Sequence, residues 1–324
     1  MSWRQGFRLR DTDIKHLSVG FSSIEELSQA LDGLGWESDL LRLDNSEGES
    51  VLRARATSRC MLSRFKFSSR IHQRAVPLKG FDTFSLLGDS KAPASFSGQH
   101  MDHQALAFMD GQNGLDAISE VEFSGYTIAL RREWLEELAE QHGLAAPGHS
   151  AWRWQPGHLL TNNPGAESLR NSMGQCFTPA FAAGTSRSNR EFIECDLPLM
   201  ILRAGSANFK PGVSKANART RVRHRALAYL RSRRRRAVTV HELCEATACS
   251  MSTLERAFRD EFGLSPKQYM LRDRLSGARR ALMDGPLERS ITNIAGDWDF
   301  DHMGKFARDY RLAFGELPSE TRCW

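Results

Sequence analysis

Apolar positions recur along this chain at two different spacings, and the change of spacing divides it. Between Thr239 and Pro318 the spacing is that of an amphipathic helix, and one pattern occurs twice. The run Leu254-Glu255-Arg256-Ala257-Phe258-Arg259-Asp260-Glu261-Phe262-Gly263-Leu264-Ser265-Pro266 is matched 52 residues later by Phe306-Ala307-Arg308-Asp309-Tyr310-Arg311-Leu312-Ala313-Phe314-Gly315-Glu316-Leu317-Pro318. Five positions are identical, and two of them are Arg256/Arg308 and Arg259/Arg311. Repetition at a fixed offset marks one supersecondary unit used twice. On a helical wheel Leu254, Ala257, Phe258 and Glu261 share a face, and Phe306 and Tyr310 share the equivalent one. Ser252, Glu255, Arg256 and Arg259 point away from it, as do Gly304, Ala307, Arg308 and Arg311. Gly263 and Gly315 are stop signals, each with a proline three residues on.

A shorter helix precedes each copy. Thr239-Val240-His241-Glu242 is a capping-box pattern ahead of Leu243, Cys244 and Ala246. Ser290-Ile291-Thr292-Asn293 with Ile294 and Ala295 is its counterpart, offset by 51, so the extra residue falls in the turn (Ala248-Cys249 against Trp298-Asp299). Ser250 and Asp301 read as N-caps of the longer helices. A helix-period segment, Gln268–Met283, joins the two units through Tyr269, Leu271, Leu275, Ala278 and Leu282. Short helix, tight turn and longer helix with a basic outer face is the helix-turn-helix plan, whose second helix enters the DNA major groove.

Upstream the period shortens. Ser23–Leu34 has helical spacing, but from Ser50 to Leu130 apolar and polar residues alternate in short runs: Leu52, Ala54 and Ala56, then Met61, Ser63, Phe65 and Phe67. Turn clusters such as Gly88-Asp89 and Asp110–Gly114 separate them, which predicts a small antiparallel barrel or sandwich. Arg132–His142 predicts a helix, and 151–205 two or three more. Gly205–Ala216, with Lys210-Pro211-Gly212, reads as a linker. Beyond it nine arginines fall between Arg219 and Arg236, around a helix marked by Ala226, Leu227 and Leu230.

Charge sharpens this division. Residues 215–324 carry a balance of +8 and the remainder −3, within an overall +5. A basic C-terminal part on a slightly acidic partner is the footprint of a nucleic-acid binder with a regulatory module attached. At 324 residues about two domains are expected. No apolar run approaches the ~18 residues of a membrane span, and the start, Met1–Gly6, leads into charges, so a soluble, cytoplasmic protein without membrane contact is expected. The six cysteines are scattered and read as reduced thiols.

The residues from about Ala218 to Arg322 resemble the DNA-binding domain of the AraC/XylS family of bacterial transcription regulators. Glu242-Leu243-Cys244, Leu254–Phe258, Gly263–Pro266, Arg274-Leu275 with Ala278-Arg279, Ile291 with Ile294-Ala295, and Phe306 through Pro318 carry the likeness. It departs from the family at Cys244, where alanine is usual, and at Asp299, where glycine is usual. The resemblance implies two helix-turn-helix units held by a linking helix, reading adjacent major-groove segments of promoter DNA. It also implies RNA polymerase as a partner, activation as the commoner outcome, and a cupin-like barrel upstream whose neighbouring helices pair two subunits.

The expected architecture is therefore α+β: a cupin-like antiparallel β-barrel with flanking helices, then an all-α domain with two helix-turn-helix units on a linking helix. Its expected boundaries are 1–205 for sensing and dimerisation, 206–217 for the linker and 218–324 for DNA binding. Base-edge contacts are expected from Ser252, Glu255, Arg256, Met303, Gly304, Lys305, Ala307 and Arg308, with Arg256 and Arg308 foremost because arginine donates twice to guanine. Phosphate contacts are expected from Arg233, Arg234, Arg235, Arg236, Arg259 and Arg311. The effector is a small molecule that the sequence does not identify. Homodimerisation is weighed against helices that merely cover the barrel.

Other chemistries are set aside. His100 and His103 could suggest a metal, yet residues three apart on a strand face opposite ways and no third ligand follows. A DNA-repair methyl acceptor needs a cysteine-rich zinc site, which the N-terminal cysteines are too few to build. No cofactor, metal or enzymatic activity is expected. The alternative reading is a non-specific architectural DNA binder with an oligomerising N-terminal domain.

Overall fold

The computed structural model describes residues 14–322 apart from 22, 47, 91, 113, 153, 207–217, 286 and 287. It divides into two compact units, residues 1–42 with 46–214 and residues 43–45 with 215–324. The expected linker (206–217) lies outside the described residues except for Ser206, as do Met1–Gly6 and Cys323.

The first unit carries β1 (Lys15–Phe21), α1 (Ile24–Gly33), β2 (Glu37–Arg42), β3 (Ser50–Ala56), β4 (Cys60–Phe67), β5 (Ile71–Val76), β6 (Phe81–Leu87), β7 (Ala94–Phe96), β8 (Gln99–Met101), β9 (Leu106–Met109), β10 (Leu115–Ser119) and β11 (Phe123–Arg131). After these come α2 (Arg132–Gln141), β12 (Leu159–Leu160), α3 (Ala166–Gln175), α4 (Pro179–Ala183), α5 (Ser186–Glu191), a π-helical segment (Phe192–Asp196) and α6 (Leu197–Ser206). Two strands, β1 and β2, precede the stretch where alternation predicted strands.

All pairings are antiparallel, and they form two sheets. Their orders are β1-β3-β4-β11-β6-β9-β12 and β2-β5-β10-β7-β8. The antiparallel strands expected of a barrel or sandwich are thus arranged as two sheets. Among the described residues no strand bonds one sheet to the other, so β1, β12, β2 and β8 remain edges. Residues of both sheets line an interior cavity of about 720 Å³, counting its opening to solvent. Phe65, Phe67, Leu86, Phe96, Met101 and Ile118 form much of its wall.

The alternation expected in β3 holds for Leu52, Ala54 and Ala56, which are buried, but Arg55 and Thr57 are buried as well. In β4 Leu62 is buried alongside Met61 and Ser63. A strand covered on both faces loses its clean period-two signature. Leu169 and Met173 of α3 and Leu197, Ile201 and Leu202 of α6 belong to the same hydrophobic core as the strands. These helices place those apolar residues inside the unit.

The second unit is helical: α7 (Ala218–Ser232), α8 (Val240–Thr247), α9 (Met251–Phe262), α10 (Pro266–Asp284), α11 (Ile291–Asp297), α12 (Met303–Phe314) and α13 (Pro318–Thr321). Both halves of the Thr239–Glu242 capping box form, and Ser265 with Gln268 makes a second box at the start of α10. Gly263 and Gly315 end α9 and α12 with left-handed φ values of 67° and 78°, which cost glycine little.

One helix serves two cores. Tyr269 of α10 packs its ring 4.5 Å from Phe262 and 5.4 Å from Phe258. Six residues further on, Leu275, then Ala278 and Leu282, join Ile294, Ala295, Trp298, Phe306 and Tyr310 in the second core. The two reading units are thus fixed to a common rod. That α7 packs on the first of them was expected from Ala226, Leu227 and Leu230, all buried.

Candidate nucleic-acid interface

Each reading helix is presented by a short helix and a tight turn. In the first unit Ala248 takes the left-handed conformation (φ 52°) between α8 and α9, and Ser250 caps α9 by accepting from the Thr253 N–H. In the second, Asp299 is the left-handed residue (φ 61°). Glycine would adopt this geometry without strain, so the aspartate has another use. Its Oδ2 accepts from the Ala237 N–H at 2.5 Å, and its carbonyl accepts from Arg274 Nη1 at 3.2 Å. The carboxylate ties the segment between α7 and α8 to the second turn.

Asp301 does not cap α12. His302 occupies that position, with no side-chain bond to the helix. The 52-residue offset of the reading helices already maps Ser250 onto His302, so the cap expected one residue earlier was misplaced by the extra turn residue.

The outward positions fall mostly where the wheel put them. On α9 Ser252, Arg256 and Arg259 are exposed and Glu255 is half-buried. Among the described residues Arg256 forms no ion pair. Arg259 lies 4.0 Å from Glu255, an exposed pair that holds either side chain weakly. On α12 Gly304, Lys305, Arg308 and Arg311 are exposed and Ala307 is half-buried. Arg308 keeps 69% of its side chain exposed, with Nε 3.6 Å from Asp309. Met303 differs from the rest: it is half-buried against the second core. Leu254, Ala257 and Phe258, like Phe306 and Tyr310, are buried beneath, so the arginines stand on packed helices.

The basic stretch from Arg219 to Arg236 splits into roles that charge alone did not separate. Arg223 is 2% exposed and donates to Glu261 at 2.7 Å, fastening α7 to α9. Arg233, Arg234 and Arg236 line a cleft of about 680 Å³ together with Lys267, Arg274 and Lys305. Lys267 was not singled out from the sequence, and Arg274 only for the family likeness, because single cations on α10 carry no charge pattern. Arg274 is pinned by its bond to Asp299 and stacks 4.6 Å over Phe300, and burial lowers its pKa. The cleft's other cations are well suited to a phosphate backbone. Arg235 lies outside this lining.

Of the other chemistries, His100 and His103 are both exposed. No group of three metal-ligating side chains occurs among the described residues. Burial pushes the Cys176 thiol up to about 12 and raises Cys60 well above its ordinary value, so neither is a ready nucleophile at neutral pH.

Two helix-turn-helix units on one shared helix, each exposing an arginine at the same register of its second helix, define a double helix-turn-helix DNA-binding domain. Comparison with known proteins agrees. The family described as "Helix-turn-helix domain" matches residues 243–323. The chain is 38% identical over 98 residues to the XylDLEGF operon transcriptional activator of Pseudomonas putida, covering 30% of each chain. It is 28% identical over 176 residues to the HTH-type transcriptional activator RhaS of Citrobacter koseri, covering 54% of this chain and 58% of that one. Among solved structures it resembles a probable AraC family transcriptional regulator from Rhodopseudomonas palustris, at 34% identity, 32% of this chain, 94% of the other and a TM-score of 0.30. The chain belongs to the AraC/XylS family. The match spans less than a third of the length of the Pseudomonas relative.

Proposed function

We propose that this protein is a sequence-specific transcription regulator that binds promoter DNA through α9 and α12 and activates transcription in response to a small molecule. The observation that carries the reading is the paired exposure of Arg256 and Arg308 at matched positions of two helices held on α10. Each guanidinium can donate two hydrogen bonds to the O6 and N7 edge of guanine. Ser252 and Glu255 extend the first reading face, and Gly304, Lys305 and Ala307 the second, while Met303 works mainly by holding α12 in place. Arg233, Arg234, Arg235, Arg236, Arg259 and Arg311 neutralise phosphates. The relatives named as activators support that direction of control, and RNA polymerase is then the protein partner.

The effector site in this reading is the cavity between the two sheets. Its wall is apolar, with Gln73, Ser85, Ser95, Ser119 and Thr127 as hydrogen-bonding points and no charged side chain. That lining suits an uncharged, mostly apolar molecule.

Competition binding at several salt concentrations tests the DNA reading. The regulator keeps a preference of about 1,000-fold or more for its own promoter over unrelated duplex. An architectural protein would lose affinity equally on all sequences as salt rises, and that result would overturn the proposal.

A further inference from the structure

An open cleft lies on the opposite face of the larger sheet, away from the interior cavity. His16, Ser18, Arg53 and Arg55 share that face, because Arg55 pairs with His16 and Arg53 with Ser18 in the β1–β3 register. Together with Phe177 and Pro179 they line the cleft, under the α3–α4 connection.

Arg55 is the unusual member. It is only 7% exposed, yet among the described residues it has no carboxylate partner. Its Nη1 donates to His16 Nδ1 at 2.7 Å, and its guanidinium lies 5.1 Å from the Phe181 ring centroid. Its Nε is buried and without an acceptor. An arginine does not shed its proton to escape such a site. A buried cation left unpaired is unfavourable unless something supplies the missing anion. Burial lowers the pKa of Arg55, and burial followed by the nearby Arg55 lowers that of His16. A neutral imidazole is therefore the group that accepts from Arg55, leaving the fork short of negative charge.

We propose that this cleft binds a small organic monocarboxylate, whose carboxylate pairs with Arg55 under the outer charge of Arg53. Its apolar body lies against Phe177, Pro179 and Ala182. A planar carboxylate matches a guanidinium edge, and the apolar wall favours an organic acid over an inorganic anion. This site goes beyond the effector reading above, which rests on an uncharged cavity elsewhere in the same unit.

Calorimetric titration of the full chain with hexanoate, hexanamide and inorganic phosphate tests it. Hexanoate is expected to bind at least about tenfold more tightly than hexanamide, which has the same shape without the charge. Arg55→Met should abolish that preference while the ligand-free protein melts at the same or a higher temperature, because an unpaired buried charge has been removed at similar volume. Should Arg55→Met not fold, the exposed Arg53→Gln should weaken hexanoate alone, and the His16 ring resonances should move on hexanoate addition. Equal binding of acid and amide overturns the proposal, as does no binding of either or phosphate binding as tightly as hexanoate. A hexanoate preference that survives Arg55→Met places the acid in the interior cavity and also overturns it. With Arg53→Gln as the variant, unchanged hexanoate affinity or unmoved His16 resonances do the same.

Discussion

Replacing Gly277 with alanine sets two effects of known size against each other. Gly277 sits inside α10, where alanine is ordinarily favoured over glycine by about 1 kcal/mol. At this position, however, an added Cβ would lie 2.1 Å from Cη2 of Trp298 and 2.2 Å from Cζ3. Carbon contacts settle near 3.5–4.0 Å, so the indole must retreat by more than an ångström. It cannot do so freely, since Trp298 is buried among Leu275, Ile294 and Phe306. Overpacking of this kind costs roughly 1–3 kcal/mol, and the closeness of the approach points to the upper end. The net expectation is a loss of about 1–2 kcal/mol, or roughly 5–10 °C in the melting transition of the helical unit. Thermal unfolding followed by helical circular dichroism on the full chain measures it. The decisive comparison is the same substitution in a Trp298→Leu background, where Gly277→Ala should reverse sign and stabilise by about 1 kcal/mol. If Gly277→Ala raised the melting temperature with Trp298 present, the indole would not be packed against that glycine and the second unit would not be locked to α10 as described.

Other substitutions probe the joints and the charges. Asp299→Ala keeps an unfavourable left-handed residue and removes the acceptor of the Ala237 N–H, so urea unfolding should show a loss of about 2–3 kcal/mol. Asp299→Gly, which relieves the backbone, should lose less. The Glu242 carboxylate is held below its ordinary 4.5, first by the Thr239 backbone N–H and then by the Thr239 hydroxyl. A lowered folded pKa means that its contribution is present above pH 4.5 and is lost as pH falls through the folded value. Glu242→Gln should flatten that part of the stability–pH curve by lowering stability above pH 4.5, with the acid end little changed. Replacing Arg233, Arg234 and Arg236 with alanine should weaken binding to all DNA alike. The slope of log K against log salt should fall by about 0.9 for each phosphate no longer neutralised. An unchanged slope would remove these arginines from the DNA backbone interface.

The helical unit was legible because its signals are local. Gly263, Gly315 and the Thr239–Glu242 box each fix a helix end through nearby atoms, and all form as read. The repeat added long-range information, since it located two reading faces at once. Asp299 could be recognised as tolerating a left-handed turn, but its bond to Ala237 joins residues 62 apart and left no pattern. Arg223 was hidden for a similar reason. In a run of arginines nothing in the sequence says which one meets Glu261 and which ones face solvent.

The strand-rich unit was harder to read. Helices cover one face of the larger sheet, so Leu62 and Arg55 are buried where alternation put the exposed side. Whether antiparallel strands close into a barrel depends on pairing between distant edges, and hydropathy does not encode it. The alternation therefore left barrel and sandwich open, and the strands pair as two sheets. β1, an edge strand in the larger sheet, alternates cleanly at Leu17, Val19 and Phe21, and its signal was passed over because it lies ahead of the strand-rich stretch.

The account rests on two cationic reading helices acting together on one duplex, and single alanine substitutions at Arg256 and Arg308 test this most directly. Each should weaken binding to the selected promoter by about tenfold to a hundredfold, the equivalent of one guanine contact of about 1–3 kcal/mol. Each should also erase base preference at its own position, with the two positions in different segments of the site. Unchanged promoter affinity and unchanged preference at every position in both variants would contradict the account.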